Sequence, residues 1–247
     1  LIFNLTHYSL RFAVIVGIML CSSVITNLSY ADSNQAISKP SAEDNLAHQR
    51  SLYHDALELA RQGKWQRLKQ HREQLQSYPL YPYLVYADLA SNLRYSRRSE
   101  VSQYLEDYSG SIKARHLRNH WLNYLAKRQY WSTFIRFYAP QQASIKQQCQ
   151  FQLARYYADP GDPQLDKRRA QALSAALKLW NVGKSQPKQC DRLFNRLIAD
   201  NRITEALAWQ RFNKALINHQ YQLARYLQRF IKTPYYSQLA KLYYQAD

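Results

Sequence analysis

Apolar residues spaced three and four apart recur along almost the whole chain with no useful strand-like alternation, and this confines it to packed helices. Ser41 followed by Asp44 resembles a capping box with Asp in place of Glu, and Leu46, Tyr53, Ala56, Leu57 and Ala60 then share one helical face up to Gly63. The same spacing predicts helices over 83–93, 101–108, 112–127, 145–158, 170–180, 190–198, 205–217 and 223–231. Short turns separate them, at Gly63, Tyr78-Pro79, Gly110, Asp159-Pro160-Gly161-Asp162-Pro163, Gly183 and Asp200-Asn201; Asp162-Pro163 reads as a helix start with Pro in the first turn. Helices joined so briefly must pack as antiparallel neighbours. With 5 Gly among 247 residues the chain also lacks the turn chemistry of a dinucleotide-binding fold, a P-loop or a many-stranded sheet.

Two internal matches sharpen the architecture. Leu59-Ala60-Arg61-Gln62-Gly63-Lys64-Trp65 returns 66 residues later as Leu125-Ala126-Lys127-Arg128-Gln129-Tyr130-Trp131, so that a Leu-Ala closes one helix and a Trp opens the next. Gln152-Leu153-Ala154-Arg155-Tyr156-Tyr157 returns 70 residues later as Gln222-Leu223-Ala224-Arg225-Tyr226-Leu227. Both offsets are near twice the ~34-residue period of two-helix repeats. The expected fold is all-α: a superhelix of stacked antiparallel helical hairpins over 42–247, a tetratricopeptide-like α-solenoid, ahead of a closed helical bundle. Apolar spacing persists through 235–244 up to Asp247 without a capping turn, and Leu1 stands where Met is usual; both fit a superhelix interrupted at its C-terminal end.

The first residues bear on compartment. Phe12 to Ile25 is apolar apart from two serines, follows Arg11, and leads to small residues at 29 and 31. The run is shorter than the ~20 residues that span a bilayer. Residues 1–31 therefore read as a cleaved export signal ahead of an uncleaved anchor, with 32–41 a polar, flexible leader and no integral membrane span after cleavage. Cleavage takes Arg11 and no acid from the formal charge of +17, leaving +16. Outside the cytoplasm such a charge points to an anionic wall polymer or membrane surface rather than to nucleic acid. Two cysteines remain, Cys149 and Cys190. In an oxidising compartment an even pair reads as a disulfide, the alternative being two buried thiols.

Catalytic and ligand-binding templates fit poorly. His116 and His120 have the i, i+4 spacing of a metal pair, but no third ligand accompanies them and Arg115 and Arg118 repel a cation. Asp159, Asp162 and Asp166 straddle a Pro-Gly turn without the alternating oxygens of a calcium loop. No nucleophile elbow is present, and the expectation is no metal and no cofactor. Lys and Arg are scattered in small groups interleaved with Tyr and Trp, the composition of a solvated basic face over an aromatic core, or of a single-strand binder.

Two stretches are more specific. Tyr78-Pro79-Leu80-Tyr81-Pro82-Tyr83-Leu84 begins a helix, where Pro82 is tolerated in the first turn, and Gly183-Lys184-Ser185-Gln186-Pro187 followed by Cys190-Asp191 and Leu193-Phe194 opens another, with Gly183 suited to close the preceding helix as a left-handed cap. With the export signal and the hairpins, these resemble the N-terminal superhelical, U-shaped region of the soluble lytic murein transglycosylases of Gram-negative bacteria, most strongly from Tyr78 to Phe194. The resemblance implies a periplasmic enzyme whose separate lysozyme-like domain cleaves the bond between N-acetylmuramic acid and N-acetylglucosamine and leaves a 1,6-anhydromuramic end. The catalytic Glu of that family is followed by Ser, and motifs Gly-Leu-Met-Gln and Ala-Tyr-Asn-Ala-Gly come after it. Here none of Glu43, Glu58, Glu73, Glu100, Glu106 and Glu205 precedes Ser, and neither motif occurs, so no catalytic residue transfers. The resemblance thus implies a non-catalytic scaffold that meets peptidoglycan strands, with other cell-wall proteins as further partners. The alternative is a stand-alone periplasmic adaptor that binds a protein through a concave face.

Overall fold

The computed structural model describes residues 42–245, and all regular structure in them is helical. The expected export segment, the leader and the Ser41 cap lie outside the described residues. The helices are α1 (Ala42–Arg61), α2 (Trp65–Gln74), α3 (Tyr81–Ser91), α4 (Arg98–Asp107), α5 (Ile112–Arg128), α6 (Trp131–Phe137), α7 (Ile145–Tyr157), α8 (Leu165–Trp180), α9 (Asp191–Ala199), α10 (Glu205–Ile217), α11 (Tyr221–Leu227) and α12 (Pro234–Gln245). Short 3₁₀ turns lie at Tyr95–Arg97, Pro140–Gln142, Lys188–Cys190 and Gln228–Phe230. None of the described helices is long and apolar enough to cross a membrane.

Contacts run mainly between each helix and the next one or two in the chain: α1 packs on α2 and α3, α3 on α4 and α5, α5 on α6 and α7, α7 on α8 and α9, and α10 on α11. That ordering is what amphipathic helices on short connections must produce, because each apolar stripe can be buried only by a sequence neighbour. Two apolar clusters result. A small one joins Tyr53, Ala56 and Ala60 of α1 to Leu68 of α2, Leu75, Tyr78 and Leu84. A larger one extends from Val85 to Ala240 and includes the fully buried Trp121, Phe134, Trp180 and Phe212.

The 66-residue match is a structural repeat. Gly63 and Gln129 both take the left-handed conformation, with φ of 69° and 60°. In each turn two amides reach back in a Schellman pattern, Gly63 N–H to Ala60 O and Lys64 N–H to Leu59 O in one, Gln129 N–H to Ala126 O and Tyr130 N–H to Leu125 O in the other. Trp65 and Trp131 then open α2 and α6, Trp131 buried at 9% exposure and Trp65 half-buried against the small cluster. The same turn recurs at Asn201 and His219, with φ of 50° and 53°. Glycine holds only one of these four positions, although a left-handed residue with a Cβ costs about 1–2 kcal/mol. The 70-residue match is not a repeat of the same kind. It aligns α7, which starts at a Ser144 capping box, with α11, which follows the His219 turn. Leu153-Ala154 and Leu223-Ala224 are alike because both are buried.

One helix start differs from expectation. Asp162-Pro163 is not the first turn of α8, which begins at Leu165. Asp162 instead makes an Asx turn, accepting from the Gln164 amide at 2.8 Å, and pairs with Arg168. Its side chain is used to hold the loop against α8.

Candidate functional site

Two polar grooves open between the stacked helices, and each of the two sequence motifs borders one.

The first, about 460 Å³, lies between α2, α3 and α4 and is bordered by Tyr81, with Trp65, Leu68 and Lys69 on the α2 side. The stretch Tyr78 to Leu84 makes it a joint. Successive tight turns close from Tyr78 N–H to Leu75 O and from Tyr81 N–H to Tyr78 O, each 2.9 Å. Tyr78 then packs on Tyr53 at 5.3 Å, while Leu84 is fully buried. Pro82 sits in the first turn of α3, and its carbonyl accepts from the Tyr104 hydroxyl at 3.1 Å. Burial beside Tyr108, Tyr86 and Tyr83 pushes that phenol up to about 12. Pro79, Leu80 and Tyr83 remain exposed, the last beneath Lys113 at 5.9 Å.

Ionised groups line this groove but neutralise one another. Asp88, 3% exposed, accepts from Arg72 at 2.8 Å and from both terminal nitrogens of Arg97 at 3.1 and 2.7 Å. Arg97 also holds Glu100 in a two-point contact at 2.9 and 2.7 Å. The Arg97 hydrogen bond keeps the Glu100 carboxyl below its usual range, against burial that pushes it up. Two guanidiniums meet two carboxylates, so the cluster is a closed structural network.

The second groove, about 440 Å³, lies between α8, α9, α10 and α11. Its rim is the segment Gly183-Lys184-Ser185-Gln186-Pro187, from which Ser185 and Gln186 line the opening beside Asp191 and Asn195 of α9. Gly183 is not a left-handed cap, because Gly63 is the one glycine of positive φ among the described residues. It is glycine for another reason. A Cβ there would lie 2.3 Å from the Lys214 carbonyl oxygen and 2.5 Å from Asn218 Nδ2, so the rim lies directly on α10. Lys214 Nζ donates to Asn181 O at 3.0 Å across the same contact. At the other end Cys149 of α7 and Cys190 form a disulfide with a Cα separation of 5.1 Å, both residues fully buried. The rim is therefore fixed at both ends, and Asp191 follows the bridged cysteine directly.

Sequence reasoning missed the centre of this groove. Arg211 of α10 is 3% exposed. Its Nε donates to Val182 O at 3.2 Å, and its guanidinium lies 4.5 Å from the Trp180 ring and 6.0 Å from Phe194. Burial draws its pKa down to about 10, opposed by the Tyr226 phenol and by no carboxylate of the described residues. In sequence Arg211 is one of 34 basic residues, and only its position on the inward face of a helical spacing (Ala208, Arg211, Phe212, Ala215) marks it.

The other sequence candidates are dispersed. His116 and His120 are exposed on α5, and no group of three His, Cys, Asp or Glu among the described residues is placed to hold a metal. Asp159 accepts from Ser132 at 2.7 Å, Asp162 serves its own loop, and Asp166 is solvent-facing, so the acidic trio forms no common site. The aromatic and basic interleaving resolves into arginines lying on rings, including Arg128 over Tyr124 at 4.9 Å and Arg192 over Tyr157 at 5.1 Å.

Against known proteins, no family model matches the chain. A curated relative, the soluble lytic murein transglycosylase of Escherichia coli K12, is 30% identical over 159 residues, 64% of this chain and 23% of that protein. Among solved structures, the 70 kDa soluble lytic transglycosylase of E. coli superposes with a TM-score of 0.64 at 25% identity, covering 80% of this chain and 31% of that one. The lytic transglycosylase Slt of Pseudomonas aeruginosa gives 0.61 at 31% identity, covering 72% and 28%. The chain is homologous to a part of soluble lytic murein transglycosylase and shares its helical fold, while spanning under a quarter of that relative's length.

Proposed function

We propose that this chain is the non-catalytic helical scaffold of a periplasmic lytic transglycosylase, a cationic superhelix that holds the anionic strands of peptidoglycan for cleavage. The observation that carries the reading is homology over 159 residues to a soluble lytic murein transglycosylase, together with a common helical architecture. The formal charge supports it, +17 for the whole sequence and +16 once residues 1–31 are removed, since an exported polycation meets the wall polymer's carboxylates first. On this reading residues 1–31 direct export, 32–41 are a leader, and 42–247 form one superhelical domain. Cleavage of the bond between N-acetylmuramic acid and N-acetylglucosamine belongs to a lysozyme-like domain whose motifs this chain does not carry.

Co-sedimentation with purified sacculi over a salt series tests the scaffold role. Retention at low ionic strength that falls steeply towards ~0.5 M salt is expected, because surface charges are screened over less than ~10 Å above 0.1 M. Absence of retention at low salt would overturn the proposal. Zymography separates the catalytic question: the chain alone should leave murein intact, and a cleared zone would show a cleavage site of its own.

A further inference from the structure

We infer that the groove between α8, α9, α10 and α11 is a binding site for the free C-terminal carboxylate of a short peptide, with Arg211 as its anion-binding group. A guanidinium buried to 3% exposure is ordinarily matched by a carboxylate, as Arg97 is matched by Asp88 and Glu100 in the first groove. Arg211 has no such partner. One nitrogen is used on Val182 O, and the terminal pair donates to no described residue. Those nitrogens are also not among the polar atoms sealed from solvent without a partner, so they face the groove that the residue lines. Trp180 and Phe194 pack against the guanidinium and keep it from swinging to bulk water. The planar fork left free is the geometry that binds a carboxylate at two points.

The remaining walls favour a peptide over a bare anion. Leu223 and the two aromatic rings give apolar surface, and Ser185, Gln186 and Asn195 give neutral donors and acceptors of the kind that pair with amides. Asp191 adds one carboxylate to the same lining. It repels a dianionic phosphate and attracts an ammonium, which suits a ligand with one negative end and one positive end. A cavity of about 440 Å³ accommodates roughly two to four residues. Because Gly183 seats the rim on α10 and the disulfide pins its far end, the polar groups are held in place before any ligand arrives. The inference stands on this geometry and is independent of the murein reading.

The experiment is isothermal titration of the full chain with trialanine, its C-terminal amide, its N-acetyl derivative and inorganic phosphate. Saturable 1:1 binding of trialanine is expected, weakened by about tenfold or more on amidation and by a smaller factor on acetylation. Arg211→Met should abolish it; the substitution removes a buried charge but also the bond to Val182 O, so circular dichroism and thermal melting check that the variant is folded. Asn195→Ala, on the groove wall, serves as a second variant and should weaken binding severalfold. Undiminished binding of the amide, or binding that survives Arg211→Met, would overturn the assignment. So would phosphate binding as tight as trialanine, which would mark a general anion site, and so would no saturable binding of any of the four probes. Sacculus retention of Arg211→Met is read in parallel: retention that persists while trialanine binding is lost separates this site from the scaffold role.

Discussion

Asp88 shows how one residue can hold several elements. It is nearly fully buried on α3 and accepts from Arg72 of α2 and from Arg97 just before α4, so three helices meet at its carboxylate. Asp88→Ala removes the buried carboxylate and leaves Arg72 and Arg97 to share Glu100 alone, and a loss of about 3 kcal/mol is expected in urea denaturation. Glu205 plays a comparable part at the surface. Its carboxylate accepts from the amides of Lys232 and Thr233 at 2.8 and 2.6 Å and from the Thr233 hydroxyl at 2.8 Å, at the start of α12. The Thr233 amide is the first reason its pKa falls below the ordinary 4.5, followed by the Thr233 hydroxyl. A carboxylate with a depressed folded pKa stabilises above its unfolded value, and that contribution is lost as pH falls through the folded one. Glu205→Gln should therefore lower the melting temperature most near neutral pH, with the gap to wild type closing below about pH 4. A gap that is constant from pH 3 to 7 would show that the charge has no part in the contact.

At the scale of elements the connections decide more than the helices do. The segment from Asn181 to Cys190 has little regular structure, yet α10 grips it through Arg211 and Lys214, and α7 holds its end through the disulfide. Closing a loop of 41 residues stabilises by about 4 kcal/mol in the chain-entropy model. Gly183→Ala puts a methyl within 2.3 Å of a backbone oxygen that cannot swing aside, so the rim must lift from α10. A loss of at least ~2 kcal/mol is expected in thermal denaturation, because overpacking against backbone has no rotamer escape. The left-handed turns at Gln129, Asn201 and His219 show the opposite economy. There the strain of a side chain at positive φ is tolerated because the two amides of the turn satisfy helix-end carbonyls that would otherwise stay unpaired.

For the whole molecule, packing between near neighbours makes stability local. The cluster around Tyr53, Leu68 and Leu75 is small and belongs to α1, α2 and the start of α3, while the larger cluster spans the helices from α3 to α12. Hydrogen exchange should therefore open amides of α1 and α2 before those of α5, α7 and α8. Equal protection across both clusters would indicate one cooperative unit.

The sequence by itself determined the helical class and much of the element order. Apolar period, short turns and scarce glycine leave few alternatives, and α10 was expected at the residues where it lies. It also carried the Leu-Ala to Trp repeat, since burial and turn chemistry are both local. Other features depended on contacts between distant segments. That Gly183 is needed for a close approach rather than for a left-handed turn depends on Lys214, 31 residues away. That Asp162 serves a loop rather than a helix cap depends on Arg168. Arg211 is the clearest case: whether a guanidinium is solvated, paired or buried alone is set by what the folded chain brings around it. Charge counts record how many cations exceed the carboxylates, and only tertiary packing decides which of them is buried without a counter-ion.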